Sequence, residues 1–141
     1  MLHKVVQLGG KSYFWLEKTN VVSMIQEYQV SGFRVREYEE LGSTNTETER
    51  VGWNELEDKM VILTYRQTQG RGQVGNHWES EPGKNISMTV VFKPRELPAG
   101  QQFAVSMVIA LGACDFISRY VSGCSVKWPN DIYVGDRKIS G

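Results

Sequence analysis

The sequence predicts an α+β fold, a mixed and largely antiparallel sheet packed by helices. Three observations lead there. Short alternating or β-branched runs recur along the chain. Two helical segments interrupt them, giving the order β-α-β-β-α-β-β from residue 33 onward. A Gly135-Asp136 turn signal joins two of the runs as a hairpin, where a parallel pair would need a longer crossover. A length of 141 residues with 40% hydrophobic content suits one ordinary domain with a buried core.

Residues 1–32 mix short apolar runs with Gly9-Gly10 and hold no sustained period, so they are set apart as a segment of unassigned role ahead of 33–141. Residues 33–38 (FRVREY) alternate Phe33 and Val35 against Arg34 and Arg36, a strand that ends at Gly42. Ser43 or Thr44 then supplies an N-cap, with Glu47 in the first turn. That helix should reach about Asp58, although Gly52 weakens it. Residues 60–65 (MVILTY) read as a strand by β-branched content, and residues 84–93 (KNISMTVVFK) as another, stopped by Pro94. A polar loop, 67–83, separates them.

In residues 99–121, Phe103, Met107, Ala110, Leu111, Cys114, Ile117 and Val121 recur at spacings of three and four, which predicts a buried central helix. Gly123 ends it. Residues 124–128 alternate as a strand, with Val126 and Trp128 on one side and Lys127 on the other. Residues 132–134 and 137–140 flank the Gly135-Asp136 turn; with Ile139 inward, Lys138 and Ser140 would share the opposite face.

Composition narrows the function. Lys plus Arg and Asp plus Glu number 16 each, so no excess charge points to nucleic acid or an anionic membrane. Cys114 and Cys124 lack C-x-x-C spacing and sit in apolar segments, which reads as two buried thiols in preference to a disulfide or zinc pair. No secretory signal is evident, and the longest apolar stretch carries Asp115 and Arg119, so a cytoplasmic location is expected. His3 and His77 are too few for a histidine metal site or a triad, and no metal ligands are assigned.

One stretch, GRGQVG, spells G-x-G-x-x-G from Gly70 to Gly75. A dinucleotide fingerprint needs a helix starting at its last glycine, and Asn-His-Trp-Glu-Ser-Glu-Pro follows instead. A kinase loop needs a valine where His77 stands, and a Walker A loop needs G-K-[ST]. What lifts the loop is its company of Gln67, Thr68, Gln69 and Arg71, a set of amides, hydroxyl and guanidinium able to wrap a small polar ligand.

Four segments in order, Ser43-Thr44-Asn45, then Gln67-Thr68-x-Gly70-Arg71-Gly72 with Gly75 and Trp78, then Lys127-Trp128-Pro129-Asn130-Asp131, then Arg137-Lys138-x-x-Gly141, resemble the catalytic domain of biotin protein ligases. The resemblance implies the fold shared by those ligases and class II aminoacyl-tRNA synthetases. It implies ATP-dependent attachment of biotin, through biotinyl-5′-AMP, to a lysine of a biotin carboxyl carrier protein. Mg²⁺ would accompany ATP. Joining a carboxylate to a phosphate sets two negative charges about 4 Å apart, a repulsion of about 4 kcal/mol at an effective dielectric near 20, so cations belong at the junction. Arg71 and Lys138 are the candidates.

By resemblance, Lys138 reaches both the biotin carboxyl and the α-phosphate, Arg71 lines the same junction, and Asp131, with Lys127 in support, positions or deprotonates the acceptor amine. Ser43, Thr44, Asn45 and Gln67, with Gly70, Gly72 and Gln73 of the loop, would hold biotin; Trp78 and Asn130 would serve the nucleotide. Each has a structural rival: Ser43 as a plain N-cap, Trp128 and Pro129 as packing, Lys127 and Arg137 as solvated strand charges. Gln73 replaces a second arginine frequent in the family. Relatives also continue past the glycine matching Gly141, so the chain is expected to be an incomplete catalytic domain, inactive alone. No helix-turn-helix precedes Phe33, so nucleic-acid binding is not implied, and a homodimer through a sheet edge stays open. A lipoate or octanoate ligase or transferase of the same superfamily, or a non-catalytic biotin-binding module, are the alternatives.

Overall fold

The computed structural model describes residues 4–8, 11–15, 23–72, 77–94 and 96–141. Two compact units divide the chain, 1–93 and 94–141.

The first unit is built on a six-stranded sheet of β1 (Lys4–Leu8), β2 (Lys11–Trp15), β3 (Ser23–Val30), β4 (Phe33–Tyr38), β5 (Met60–Thr64) and β8 (Ser87–Val91), in that spatial order. Every neighbouring pair is antiparallel except β4 with β5. This is the mixed, largely antiparallel sheet that the pattern predicts. Three of its strands lie in the segment where no period was legible. The β3–β4 turn is Ser31-Gly32 with φ of 49° and 80°, a two-residue hairpin loop of the kind that needs positive φ at both positions. The sheet therefore runs unbroken across positions 32 and 33.

The parallel pair requires a crossover, and α1 (Thr44–Val51) provides it, packing on β5 and β8. The helix stops at Val51, short of the expected Asp58. Gly52 takes φ 82° and its N–H reaches back to the Thr48 carbonyl, so the residue that weakened the helix in sequence ends it in fact. β5 lies between β4 and β8 and is buried at all five positions, which explains its unbroken apolar run. Around it lie three clusters of buried residues: Val35, Val61 and Leu63; Tyr38, Leu41 and Ile62; and Leu56, Met60 and Val91. A short ribbon of β6 (Gly70–Arg71) and β7 (His77–Trp78) completes this unit.

The second unit holds a 3₁₀ turn (Ala99–Gln101), α2 (Gln102–Ser118) and an antiparallel sheet of β9 (Cys124–Lys127), β10 (Asp131–Val134) and β11 (Arg137–Ser140). Gly135-Asp136 forms the expected turn, with Gly135 at φ 56°. The helix differs from expectation: Ala110 is its one buried residue among those described, Met107, Cys114 and Ile117 are half-buried, and Phe103 and Leu111 are exposed. Apolar residues run all round it, and a three-stranded sheet can cover only one stripe. Ile139 is not inward either. The register slips between Ile132 and Tyr133, so Ile139 falls at a bulge and is exposed.

Candidate functional site

The first cluster of candidate residues forms where β4 and β5 end. Their parallel pairing continues into the loops through a bridge between Leu41 and Gln67, with Leu41 N–H on the Arg66 carbonyl (3.0 Å), Thr68 N–H on the Leu41 carbonyl (2.9 Å) and Gln69 N–H on the Gly42 carbonyl (2.7 Å). The segment carrying Ser43 and Thr44 is thereby tied to the segment carrying Gln67.

Ser43 occupies the N-cap and is buried, yet its side chain makes no capping hydrogen bond. The N-cap position is the one expected, but the Ser43 hydroxyl does not cap. Gln67 does the capping from outside the helix: its Oε1 accepts the Thr44 N–H at 3.0 Å and lies 3.4 Å from the Thr44 hydroxyl. Because a backbone N–H can only donate, this fixes the amide with its oxygen turned inward and its NH₂ left over as a donor. That NH₂ lies over Gly70, where a Cβ would come within 2.9 Å of Nε2 and 2.5 Å of the Trp78 carbonyl oxygen. Only glycine fits there.

Thr89, on β8, joins the cluster although the sequence reading did not single it out. Its hydroxyl lies 2.6 Å from Asn45 Oδ1 and 3.0 Å from Thr44 Oγ1. The signal for it was faint: alternation in SMTVV puts Thr89 on one face with Ser87 and Val91. Beneath the helix, Glu47 is buried and held by Arg50 through a two-pronged pair at 2.6 and 2.7 Å. Burial, then the Glu47 charge, pushes the Tyr38 phenol above its ordinary range, so it stays neutral under this cluster.

Arg71 is turned toward α1. Its Nη2 donates to the Thr46 hydroxyl at 2.8 Å and its Nη1 stands 3.8 Å from Glu49, with the side chain largely exposed. Trp78 is half-buried opposite Gly70 and lines a cavity of about 400 Å³ together with Arg66, Gln67, Gln69, Ser80 and Pro82. Ser43, Thr44 and Asn45 are not among its lining residues. Gly72 is half-buried at the end of β6, and Gln73 and Gly75 lie outside the described residues.

In the second unit, Lys138 and Asp131 meet across neighbouring strands with Nζ to Oδ1 at 2.7 Å. Gly141 lies against this pair so closely that a Cβ would come within 2.6 Å of Asp131 Oδ1 and 2.8 Å of Lys138 Cε. Lys127 pairs with Asp131 in the β9–β10 register and sets its ammonium 5.6 Å from the Tyr133 ring centroid. Asn130 is half-buried in the turn between those strands, and Trp128, exposed, stacks at a tilt on Phe103 with centroids 5.4 Å apart. Arg137, at the start of β11, is exposed. Among the described residues no group of three or more His, Cys, Asp or Glu gathers as a metal would require, and no helix is long and apolar enough to cross a membrane.

Comparison with known proteins gives the lineage of this arrangement. The chain is 29% identical over 140 residues to the bifunctional ligase/repressor BirA of Escherichia coli, covering 97% of this chain and 43% of that protein. It is 34% identical over 88 residues to the human biotin–protein ligase, covering 58% of this chain and 12% of that protein. A crystal structure of biotin acetyl coenzyme A carboxylase synthetase from Helicobacter pylori with bound biotinylated ATP superposes with a TM-score of 0.58 at 29% identity, covering 74% of this chain and 51% of that one. The chain thus spans less than half the length of the curated relatives above. Residues 38–141 match the biotin/lipoate A/B protein ligase family, and they include every site residue named above, so the chain belongs to that family.

Proposed function

We propose that the protein carrying this chain activates biotin with ATP to biotinyl-5′-AMP and transfers it to a lysine of a biotin carboxyl carrier protein. The observation that carries this reading is the locked amide of Gln67. With its oxygen spent on the Thr44 N–H, it offers NH₂ to a ligand acceptor, and the ureido oxygen of biotin is a strong one. The hydroxyls of Ser43 and Thr44 complete a set able to meet both the acceptor and the N–H groups of that ring.

Lys138 supplies positive charge for the carboxylate and phosphate as they are brought together, a role in keeping with its pairing with the Asp131 carboxylate at 2.7 Å. Once Lys138 turns to the ligand, Asp131 is left as an acceptor for the proton of an incoming ammonium. Arg71, released from Thr46 and Glu49, adds a second cation, and Trp78 offers its ring to the base. Mg²⁺ accompanying ATP would neutralise phosphate charge. A cytoplasmic location belongs to this reading.

The test is biotin-dependent exchange of pyrophosphate into ATP by the full-length protein. Exchange is expected with biotin; its absence overturns the proposal. Exchange supported by lipoate in preference to biotin would move the activity to the lipoate branch of the family.

A further inference from the structure

We propose that Cys114 and Cys124 are a redox modification site, forming an intramolecular disulfide that staples α2 to β9 when a small-molecule disulfide such as oxidised glutathione is present. Both are free thiols, as their spacing suggested, but they are half-buried instead of buried and lie side by side. Cys114 sits on the inward stripe of α2, one turn before its end, and Cys124 opens β9; their sulfurs are 2.9 Å apart. Both are half-buried, so a small oxidant has access. A disulfide bond of about 2.05 Å needs less than about 1 Å of further approach.

The intervening chain is already shaped to hold this pairing. Ser118 Oγ donates to the Cys114 carbonyl at 2.8 Å, Gly123 turns the chain at φ 78°, and its carbonyl accepts the Gly135 N–H at 3.2 Å. Oxidation therefore closes a short loop around an existing contact and asks for no rearrangement of strands.

The hydrogen bond to Cys124, then burial, holds the Cys114 thiol above its ordinary value; exchange can begin at Cys124, and the product is the same in either order. The Cys124 thiolate displaces one glutathione thiolate from the oxidant, which takes up the proton that Cys124 lost. Cys114 then loses its proton and displaces the second glutathione from the mixed disulfide. Two protein S–H bonds and one oxidant S–S bond are broken; one protein S–S bond and two glutathione S–H bonds are made. The two cysteines are oxidised and the glutathione disulfide is reduced. The strand that is stapled leads directly into Lys127, so the modification stiffens the base of the Lys127–Asp131 turn.

The full-length protein, equilibrated across a series of reduced-to-oxidised glutathione ratios, acid-quenched, alkylated and mapped by peptide mass, tests this. A peptide linking Cys114 to Cys124 should appear as the ratio becomes oxidising, disappear with dithiothreitol, and raise Tm by several degrees. In Cys114→Ser the same treatment should leave glutathione on Cys124, because the resolving thiol is gone. Both cysteines still alkylated at the most oxidising ratio, or glutathione persisting on wild-type Cys124, would overturn the proposal; the wild-type map decides this even where the variant fails to fold.

Discussion

A threonine hydroxyl has one proton to give, and at Thr89 that proton has two oxygens in reach, Asn45 Oδ1 at 2.6 Å and Thr44 Oγ1 at 3.0 Å. Donation to the shorter contact turns the Asn45 oxygen inward and leaves its NH₂ outward, the same polarity that Gln67 has. Thr89→Val removes the proton and keeps the volume. The KM for biotin should rise about tenfold, equivalent to about 1.4 kcal/mol, with the KM for ATP unchanged; steady-state kinetics on the full-length protein, with Thr89→Ser restoring wild-type values, checks this. A parallel comparison separates the two lysines. Lys138→Ala should lower the adenylation rate far more than Lys127→Ala, because Lys138 meets a carboxylate at 2.7 Å while Lys127 rests over an aromatic ring; equal losses in pyrophosphate exchange would contradict it. Ser43, Gln67, Asp131 and Lys138 stand out in the sequence as candidates because a motif carries them. Thr89 does not, since a single hydroxyl in a strand has no spacing of its own and its contacts with Thr44 and Asn45 form only once β8 is placed beside α1.

Elements show the same contrast. β5 and the Gly135-Asp136 hairpin are local in origin, a continuous apolar run and a two-residue turn, and both appear where the pattern puts them. The missed β3 is held chiefly by its hairpin partner β4, including an ion pair in which Arg34 and Arg36 share Glu27 at 2.6 and 2.8 Å, a polar pairing that leaves no apolar period to read. Burial raises the Glu27 carboxyl, but the Arg36 and Arg34 hydrogen bonds together outweigh it and leave it below its ordinary 4.5. Its contribution is therefore complete above 4.5 and lost as pH falls through the lower folded value. Glu27→Gln should flatten the acid side of the Tm–pH curve below pH 4.5, by no more than about 1 kcal/mol because the pair is largely solvated. The β6–β7 ribbon makes a sharper demand. Gly70→Ala drives a methyl to within 2.5 Å of the Trp78 carbonyl and against the Gln67 amide, so biotin affinity measured by calorimetry should fall at least about tenfold, on the order of the 1–3 kcal/mol of an overpacked site.

At the scale of the molecule, each unit carries candidate residues of its own: Ser43 to Trp78 with Thr89 in the first, Lys127 to Gly141 in the second. Within the first, the offset that pairs Tyr38 with Thr64 is the one that pairs Leu41 with Gln67, so a single register brings Thr44 and Gln67 together. The helix and turn between those strands connect without setting that register. Two glycines inserted after Asn54, in the exposed turn beyond α1, should leave the KM for biotin within about twofold, since longer surface connections cost little. The same insertion after Tyr65, inside the bridged stretch, should abolish binding, and calorimetry on the paired variants distinguishes the two. A ladder of backbone hydrogen bonds thus acts as a ruler that fixes where Thr44 meets Gln67, whatever the length of the crossover between the two strands.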